Sequence, residues 1–226
     1  MLELAVVYDN DQERDDLTPS WGFSSFIKTP ERSILFDTGA DSAILLDNMD
    51  KMGLDPKEIQ AIIISHTHSD HAGGLRELLR INSSASVYVP NLGFKRKLEN
   101  NKNRVFQIKD YKEIYPGISI INHNNTQALV FDVENDMFMA VSRIPTKAIE
   151  MMKKAKELTG KDIHFLLGGF CLHDPSEIER IINPLEKFGV RKIVICHCCG
   201  EMDEKILKEK FGENCIKAGV GSVIKF

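Results

Sequence analysis

The sequence predicts a fold that mixes α-helices and β-strands within a chain of 226 residues. Short apolar runs rich in β-branched residues are typical of buried strands, and the clearest of them is Ala61–Ile64. The first part of the chain is rich in such strands, and the later part alternates strands with helices, which is the pattern of a mixed fold. Because 42% of the residues are hydrophobic, the chain is able to bury a sizeable core. We therefore expect a single domain over residues 1–226.

The first part of the chain is predicted to form one sheet with helices beside it. Leu2–Tyr8 alternates in polarity and predicts the first strand. Phe23–Lys28 and Arg32–Phe36 flank the turn sequence Thr29-Pro30-Glu31, so they predict a hairpin. Later elements, in chain order, are the helix Ala40–Met52, the strand Ala61–Ile64, a helix over Leu75–Arg80 and the strand Ser86–Val89. For the basic segment Asn91–Arg104 the sequence leaves two interpretations open, a lid over a functional site and a solvated linker.

The rest of the chain is predicted to supply a second sheet and three more helices. Its first strands are Arg104–Lys109, Tyr111–Tyr115, Ile118–Asn122, Gln127–Val133 and Met137–Val141. The turns Pro116-Gly117 and Glu134-Asn135-Asp136 separate some of these strands. Proline near a helix start and glycine after a helix end then mark the boundaries of later helices. These later elements are a helix from Thr146 to Leu158, the strand Ile163–Leu167, a helix between Pro175 and Gly189, the strand Lys192–Cys196, the helix Glu201–Phe211 and a short strand pair ending at Phe226.

Charge and cysteine content narrow the class of protein. A net charge of −4 provides no positive surface for nucleic acid or an anionic membrane, so we expect neither as a partner. Met1–Ala5 has no basic region followed by an apolar core, and no apolar run is long enough to span a bilayer, so we expect neither a signal peptide nor a membrane anchor. The five cysteines are odd in number, which argues against a disulfide framework. We therefore expect a cytoplasmic protein, and the sequence leaves open whether it forms a homo-oligomer.

The stretch Ser65–Gly74 carries the strongest chemical signal in the chain. It places three histidines and a carboxylate within six residues, directly after the strand Ala61–Ile64. Side chains two residues apart on an extended chain share a face, and Gly73-Gly74 allows the backbone to pass close to a neighbour. Imidazole and carboxylate groups are the ligands that Zn²⁺ takes, and Fe and Mn also accept them. We therefore predict a metal site formed by His66, His68, Asp70 and His71.

The spacing His-x-His-x-Asp-His, placed between a strand and a helix, resembles the signature of the metallo-β-lactamase superfamily. Smaller motifs recur in the same order as in one branch of that superfamily, which includes the dihydropterin–ribofuranosylaminobenzene phosphate synthase of methanopterin biosynthesis. They are Val7-Tyr8-Asp9-Asn10, Gly22-Phe23-Ser24, Leu35-Phe36-Asp37-Thr38-Gly39, Gly168-Gly169-Phe170, Cys196-His197-Cys198-x-Gly200 and Gly219-Val220-Gly221. The resemblance implies an α+β fold, a four-layer αββα sandwich with helices outside two packed sheets.

The resemblance also implies roles for two residues outside the stretch Ser65–Gly74, which we call the metal loop. His197 occupies the position of the superfamily's last metal ligand. The alternative is that His197 is a structural histidine of the core. In a third interpretation, Cys198 or Cys199 contributes a thiolate ligand. Asp37 lies at the position where the superfamily has a carboxylate beneath the metals, and this carboxylate orients a metal ligand. The alternative for Asp37 is a cap for the following helix.

Two departures from the branch pattern change the expected metal content. The branch has Cys-Ser-His where this chain has Val141-Ser142-Arg143, and a guanidinium group is always protonated and does not ligate a cation. The branch also has a histidine after Gly-Gly-Phe, where this chain has Cys171, with His173 two residues later. The first metal position then keeps His66 and His68 but lacks its third ligand, whereas the second keeps Asp70, His71 and His197. We predict one firmly held ion of the Zn²⁺ type, with His123 and His164 as weaker substitutes for the missing ligand. Cys171 and His173 either replace that ligand at a second position or mark a simple loop change, and both are also candidates for substrate binding.

These features predict a metal-dependent hydrolase of a small anionic or phosphorylated molecule. Asp70 would act as a ligand and orient or deprotonate the attacking water. The guanidinium group of Arg143 is suited to bind a phosphate or carboxylate of the substrate through bidentate hydrogen bonds. The alternative role for Arg143 is a local salt bridge. Two other functions stay open, the transferase chemistry of the resembled branch and a non-catalytic metal- or metabolite-binding protein.

Overall fold

The computed structural model describes residues 1–99, 101–133, 136–143, 146–170, 175–197 and 199–226, and it describes residues 143, 146 and 175–179 by their backbone only. These residues form two compact units. The first comprises Met1–Lys109 with Ala218–Phe226, and the second comprises Asp110–Lys217. Each unit contains a seven-stranded sheet among the residues so described. The expected single-domain organisation stays a prediction.

Strands and helices follow the predicted order closely. The strands are β1 (Glu3–Tyr8), β2 (Ser24–Lys28), β3 (Ser33–Phe36), β4 (Ala61–Ile63), β5 (Ser86–Val89), β6 (Val105–Gln107), β7 (Tyr111–Tyr115), β8 (Ile118–His123), β9 (Thr126–Val133), β10 (Asp136–Arg143), β11 (Ile163–Gly169), β12 (Lys192–Ile195), β13 (Cys215–Lys217) and β14 (Val223–Lys225). The helices are α1 (Ser42–Lys51), α2 (Ser69–Ala72), α3 (Leu75–Ile81), α4 (Leu92–Lys97), α5 (Thr146–Thr159), α6 (Pro175–Lys187) and α7 (Glu201–Phe211). Among the described residues, no helix is both long enough and apolar enough to cross a bilayer.

The sheet of the first unit is antiparallel on one side and parallel on the other. Its strand order is β14-β1-β2-β3-β4-β5-β6, and the strands from β3 to β6 run parallel to one another. Strands β2 and β3 pair antiparallel, which confirms the predicted hairpin. Helices α1 and α3 cover one face, where Leu45, Met49 and Leu78 pack with Leu35 and Ile62 of the sheet. Because β3 and β4 are parallel neighbours, the residues that follow them meet at one edge of this sheet.

The sheet of the second unit has the same mixed character. Its order is β13-β12-β11-β10-β9-β8-β7, with β10 to β13 parallel and β7 to β10 antiparallel. Helices α5, α6 and α7 bury Met151, Leu185 and Leu207 in one cluster with Met139 and Ile193 of the strands. Parallel strands need crossover connections, and these helices supply them.

Two predicted sheet assignments are wrong. The segment predicted as Arg104–Lys109 forms β6, which pairs with β5 in the first sheet and not with β7 in the second. The last two strands, predicted as a pair, do not pair with each other. Strand β13 pairs with β12 in the second sheet, and β14 pairs with β1 in the first. Local sequence patterns identify strands but not their partners. Here a helix in the segment predicted as a lid or linker, α4, returns the chain to the edge of β5.

Glycines let the metal loop lie directly against the loop that follows β3. The amides of Gly73 and Gly74 both donate to the carbonyl oxygen of Gly39, at 2.9 and 3.2 Å. A Cβ atom added at Gly73 would lie 2.1 Å from the carbonyl oxygen of Ala40, and one at Gly74 would lie 2.4 Å from that of Thr38. The predicted close approach at Gly73-Gly74 is confirmed, and these two glycines set how near the two loops come.

We expect the Gly73→Ala variant to lower the free energy of unfolding by about 1–3 kcal/mol, because backbone atoms that cannot move aside occupy the space of the added methyl group. Gly93→Ala in α4 is the matched control, since its added Cβ would meet nothing nearer than 3.4 Å. This control is expected to be neutral or slightly stabilising. Urea unfolding of both variants measures the difference, and equal stability of the two would contradict the packing argument.

Candidate metal centre

Asp37 lies at the edge of the first sheet where β3 and β4 end. Its amide donates to the carbonyl oxygen of Ile63 at 2.8 Å, and its own carbonyl oxygen accepts the Ser24 hydroxyl at 2.8 Å. Asp37 is fully buried and has a left-handed φ of 62°. A left-handed backbone at a residue other than glycine costs about 1–3 kcal/mol and persists only where surrounding contacts fix it. These contacts therefore hold the Asp37 carboxylate in one position.

The Asp37 carboxylate accepts three hydrogen bonds. Ser65 donates its amide to Oδ1 at 2.7 Å and its hydroxyl to Oδ2 at 2.6 Å. The ring nitrogen Nδ1 of His71 lies 2.8 Å from the same Oδ2. A carboxylate oxygen that accepts this bond pairs with an N–H at Nδ1 of His71, which leaves Nε2 as the ring nitrogen that can face a metal ion.

Ser65 also determines which ring nitrogen of His66 carries the proton. The Ser65 hydroxyl lies 3.0 Å from Nδ1 of His66. A hydroxyl has one proton, and the Ser65 proton is directed to Asp37, so Nδ1 of His66 must be the donor in this contact. The lone pair of His66 is then also on Nε2. One buried carboxylate thus fixes the tautomers of two histidines that the sequence predicts as metal ligands.

The predicted ligands of the metal loop lie together. The ring centroid of His66 is 4.6 Å from that of His68 and 4.2 Å from that of His71. Nε2 of His71 is 3.5 Å from Oδ2 of Asp70. Burial, with the neighbouring His71 as second cause, lowers the pKa of His66 to about 4, so its imidazole is neutral at pH 7, as ligation requires. Three imidazoles and a carboxylate are a donor set that fits a Zn²⁺-type ion.

Backbone hydrogen bonds fix the metal loop on two sides. The carbonyl oxygen of Asp70 accepts the amide of Phe23 at 3.1 Å. The carbonyl oxygen of His71 accepts both the amide and the hydroxyl of Thr38, at 2.8 and 3.1 Å. Gly22 has a φ of 142°, and an added Cβ there would lie 2.4 Å from the Asp70 carbonyl oxygen. The loop is consequently a rigid platform for its side chains.

The second unit carries the other predicted site residues. His197 follows β12, is buried and has a left-handed φ of 45°. Arg143 ends β10 with its backbone in register with Gly169, and its side chain lies outside the described part of the structure. Cys171, His173 and Cys198 lie outside the described residues altogether. Their predicted roles stay predictions.

Cys199, a predicted alternative ligand, is a partly buried thiol with a local hydrogen-bond acceptor. Burial, aided by the Asp203 carboxylate, raises the pKa of its thiol to about 12. The thiol lies 3.8 Å from the carbonyl oxygen of Gly200, to which it donates. The thiol is therefore protonated in the metal-free protein, and the role of Cys199 as an alternative ligand stays a prediction.

The two histidines considered as substitutes have local partners. Nδ1 of His164 pairs with the carboxylate of Asp136. Nε2 of His123 lies 3.0 Å from the side-chain amide nitrogen of Asn124. Both contacts are typical of structural histidines.

Sequence reasoning left open what Asp37 does and did not single out Ser65. The capping alternative is wrong, because α1 is capped by Asp41, which accepts the amides of Ala43 and Ile44 at 2.7 and 3.3 Å. One feature of the sequence could have identified Ser65, namely a hydroxyl residue at a strand end, directly before the first histidine of the metal loop. Its partner 28 residues earlier in the chain is visible only in the fold.

We expect Ser65→Ala to weaken metal binding by about 10–100-fold, because His66 and Asp37 lose the hydroxyl that joins them. Ser25→Ala is the matched control, since Ser25 is equally buried but its hydroxyl has no hydrogen-bond partner among the described residues. Competition with a chromogenic chelator measures both affinities. Equal affinities in the two variants would show that the Ser65 contact does not orient a ligand.

Comparison with known proteins assigns the chain to a family. Residues 17–148, more than half of the chain, match the family model described as the metallo-beta-lactamase superfamily, whose members normally bind divalent metal ions. A 7,8-dihydropterin-6-methyl-4-(beta-D-ribofuranosyl)-aminobenzene-5'-phosphate synthase of Methanocaldococcus jannaschii is 26% identical, over 87% of this chain and 85% of its own length.

Two solved structures share the fold over the whole chain. Tm1679, described as a metal-dependent hydrolase of the beta-lactamase superfamily, superposes with a TM-score of 0.82 at 22% identity, over 100% of this chain and 99% of its own. The metallo-beta-lactamase fold protein YhfI from Bacillus subtilis superposes with a TM-score of 0.71 at 15% identity, over 100% of both chains. The predicted fold class, the α+β sandwich of the metallo-β-lactamase type, is confirmed. This chain belongs to the metallo-β-lactamase superfamily.

Proposed function

We propose that this protein is a metal-dependent hydrolase of a small anionic or phosphorylated molecule. The observation that carries the proposal is the buried Asp37 carboxylate, which fixes Nδ1 of His71 directly and Nδ1 of His66 through Ser65. In a purely structural histidine cluster, there is no reason for the rings of His66 and His71 both to leave Nε2 available as a ligand atom. Outer hydrogen bonds of this kind orient ligating histidines in metal sites.

The proposed ligand set divides between two positions. Asp70 and His71, with His197 from the second unit, would hold one ion firmly. His66 and His68 would contribute to a weaker second position, for which Cys171 and His173 are the candidates to complete the ligand set. Three protein ligands with an open fourth position are typical of catalytic zinc, and Fe or Mn remain alternatives in this donor set.

The protein's own residues have distinct tasks in this proposal. A bound ion of this type supplies Lewis-acid chemistry, which makes water a nucleophile near neutral pH. Asp70, whose side chain is 19% exposed, would orient the attacking water and accept its proton at Oδ2. Asp37 would keep His71 in its ligating tautomer. Arg143 would bind the anionic group of the substrate through two parallel hydrogen bonds.

Two alternatives have support of their own. The synthase relative from Methanocaldococcus jannaschii favours transferase chemistry on a dihydropterin, but the chain lacks the Cys-Ser-His motif of that branch, having Arg143 instead. The loss of that histidine also favours a non-catalytic metal- or metabolite-binding protein. Within the main proposal the substrate is a small molecule in the cytoplasm, and nucleic acid is not expected, because the net charge is −4.

Elemental analysis of protein purified without added metal tests the ligand set. We expect about one equivalent of metal per chain, because one position has three protein ligands and the other has two. His71→Ala and His197→Ala should each lose this ion and, with it, turnover of a panel of phosphate and carboxylate esters. His123→Ala, which removes an imidazole that contacts Asn124, is the matched control and should keep both.

The opposite outcomes are equally specific. About two equivalents of metal would mean that another side chain completes the second position. Metal that survives in the His71→Ala variant would remove the proposed site. Metal bound without turnover of any ester, or pterin transfer in place of hydrolysis, would favour one of the two alternatives.

A further inference from the structure

The segment after β1 reaches the same edge of the first sheet as Asp37 and the metal loop. Strand β1 pairs antiparallel with β2, and β2 pairs antiparallel with β3, so β1 and β3 run in the same direction and end at one edge. Asn10 lies two residues after β1, and its side chain is half-buried. It is outside the proposed ligand set, yet its contacts lead to that set.

The side chain of Asn10 binds the chain segment that enters β2. Its Oδ1 accepts the amide of Gly22 at 3.1 Å. The next amide along the chain, that of Phe23, donates to the carbonyl oxygen of Asp70 at 3.1 Å. Two consecutive amides therefore connect the side chain of Asn10 to the backbone of a proposed metal ligand.

Gly22 lies against the metal loop with no side chain between the two backbones. An added Cβ at Gly22 would lie 2.4 Å from the Asp70 carbonyl oxygen on one side and 3.1 Å from Cε1 of Tyr8 on another. The Tyr8 ring is fully buried. Because close-packed groups transmit a displacement to their neighbours, a shift of Gly22 is expected to move Asp70 as well.

The histidines of the metal loop have a different support. Nδ1 of His71 is bound to Asp37, and the carbonyl oxygen of His71 accepts the amide of Thr38. Nδ1 of His66 contacts the Ser65 hydroxyl. These contacts come from the ends of β3 and β4, whereas the contact of Asn10 comes from the end of β1. Asn10 is thus placed to act on Asp70 while the imidazoles keep their own partners.

We propose that Asn10 is a positioning residue, which places the Asp70 carboxylate for metal binding by holding the backbone at Gly22 and Phe23. This inference rests on the proposed function and deepens it, because Asp70 is the ligand proposed to orient the attacking water. Site residues need supporting groups that hold them close to their productive geometry. Without the Asn10 contact, the carboxylate would bind the ion and its water less well.

A double-mutant cycle tests whether Asn10 acts through Asp70. We expect Asn10→Ala to weaken Co²⁺ binding about tenfold, measured by competition with a chromogenic chelator, and to change the visible absorption of the bound ion, which reports ligand geometry. In an Asp70→Asn background, where the carboxylate is already absent, the same substitution should change the affinity by less than about twofold.

Two further substitutions at Asn10 define the group that matters. Asn10→Asp keeps an oxygen that accepts the Gly22 amide, so its Co²⁺ affinity should stay within about twofold of the wild type. Asn10→Ser, whose oxygen is one bond nearer the backbone, is a milder variant for the same cycle and should weaken Co²⁺ binding in the same direction as Asn10→Ala. It keeps the cycle decisive if the alanine variant does not fold.

Asp55→Ala is the matched control. Oδ1 of Asp55 also accepts a backbone amide, that of Lys57 at 2.8 Å, but Asp55 precedes β4 and so lies at the opposite edge of the first sheet. Urea unfolding should show that this variant loses stability as Asn10→Ala does. Its Co²⁺ affinity and absorption should match those of the wild type, which separates a positioning role from a general loss of stability.

Failure of the inference and failure of the proposed function give different results. If Asp70→Asn weakens Co²⁺ binding but Asn10→Ala behaves like Asp55→Ala, or acts equally in both backgrounds, Asn10 is not a positioning residue although the metal site stands. If Asn10→Asp binds as weakly as Asn10→Ala, the contact with Gly22 is not what matters and the inference is overturned. If the wild type binds no metal, or Asp70→Asn binds it as tightly, the proposed ligand set has failed and the inference fails with it.

Discussion

The candidate site depends on one buried carboxylate. Transferring an ionised carboxylate from water into the protein is strongly unfavourable unless hydrogen bonds replace those to water. Asp37 is fully buried and receives three such bonds, two from Ser65 and one from His71. Because one oxygen accepts both the serine hydroxyl and the imidazole, a single group sets the proton positions on two histidines. The left-handed backbone of Asp37 is the strain that accompanies this arrangement.

Topology brings the partners of Asp37 to it. Strands β3 and β4 run parallel, so the residues after each strand lie side by side although 28 positions separate Asp37 from Ser65. The metal loop then returns against the loop after β3, and the glycines at 73 and 74 permit backbone contact there. The side chains proposed to hold a metal need a rigid base, and here main-chain hydrogen bonds provide it.

Local chemistry in the sequence was enough to find the metal loop and nearly all of the larger elements. The three histidines and Asp70 stand within six residues, so their clustering required no knowledge of the fold. The sheet partners of β6, β13 and β14 were predicted wrongly, because pairing depends on contacts distant in sequence. The same limit applies to Asp37. A carboxylate before a helix satisfies the local rules for a cap. Only the capping contacts of Asp41, four residues later, and the contact of Asp37 with His71 decide between the two roles.

If Arg143 stands where the resembled branch has a ligand histidine, as the sequence comparison with that branch implies, it bears on both the proposed metal content and the proposed substrate. In the second unit, β10, β11 and β12 are parallel. Arg143 is the last residue of β10 and His197 follows β12, so their backbones lie at the same edge of that sheet. On the proposed assignment this edge supplies one imidazole to an ion and one permanent positive charge in place of a further ligand. A guanidinium binds the planar oxygens of a carboxylate or phosphate but cannot activate water. On this assignment the substitution would remove one metal ligand and add a group that binds anions, which favours the proposal of a single-ion enzyme for an anionic substrate over a dinuclear one.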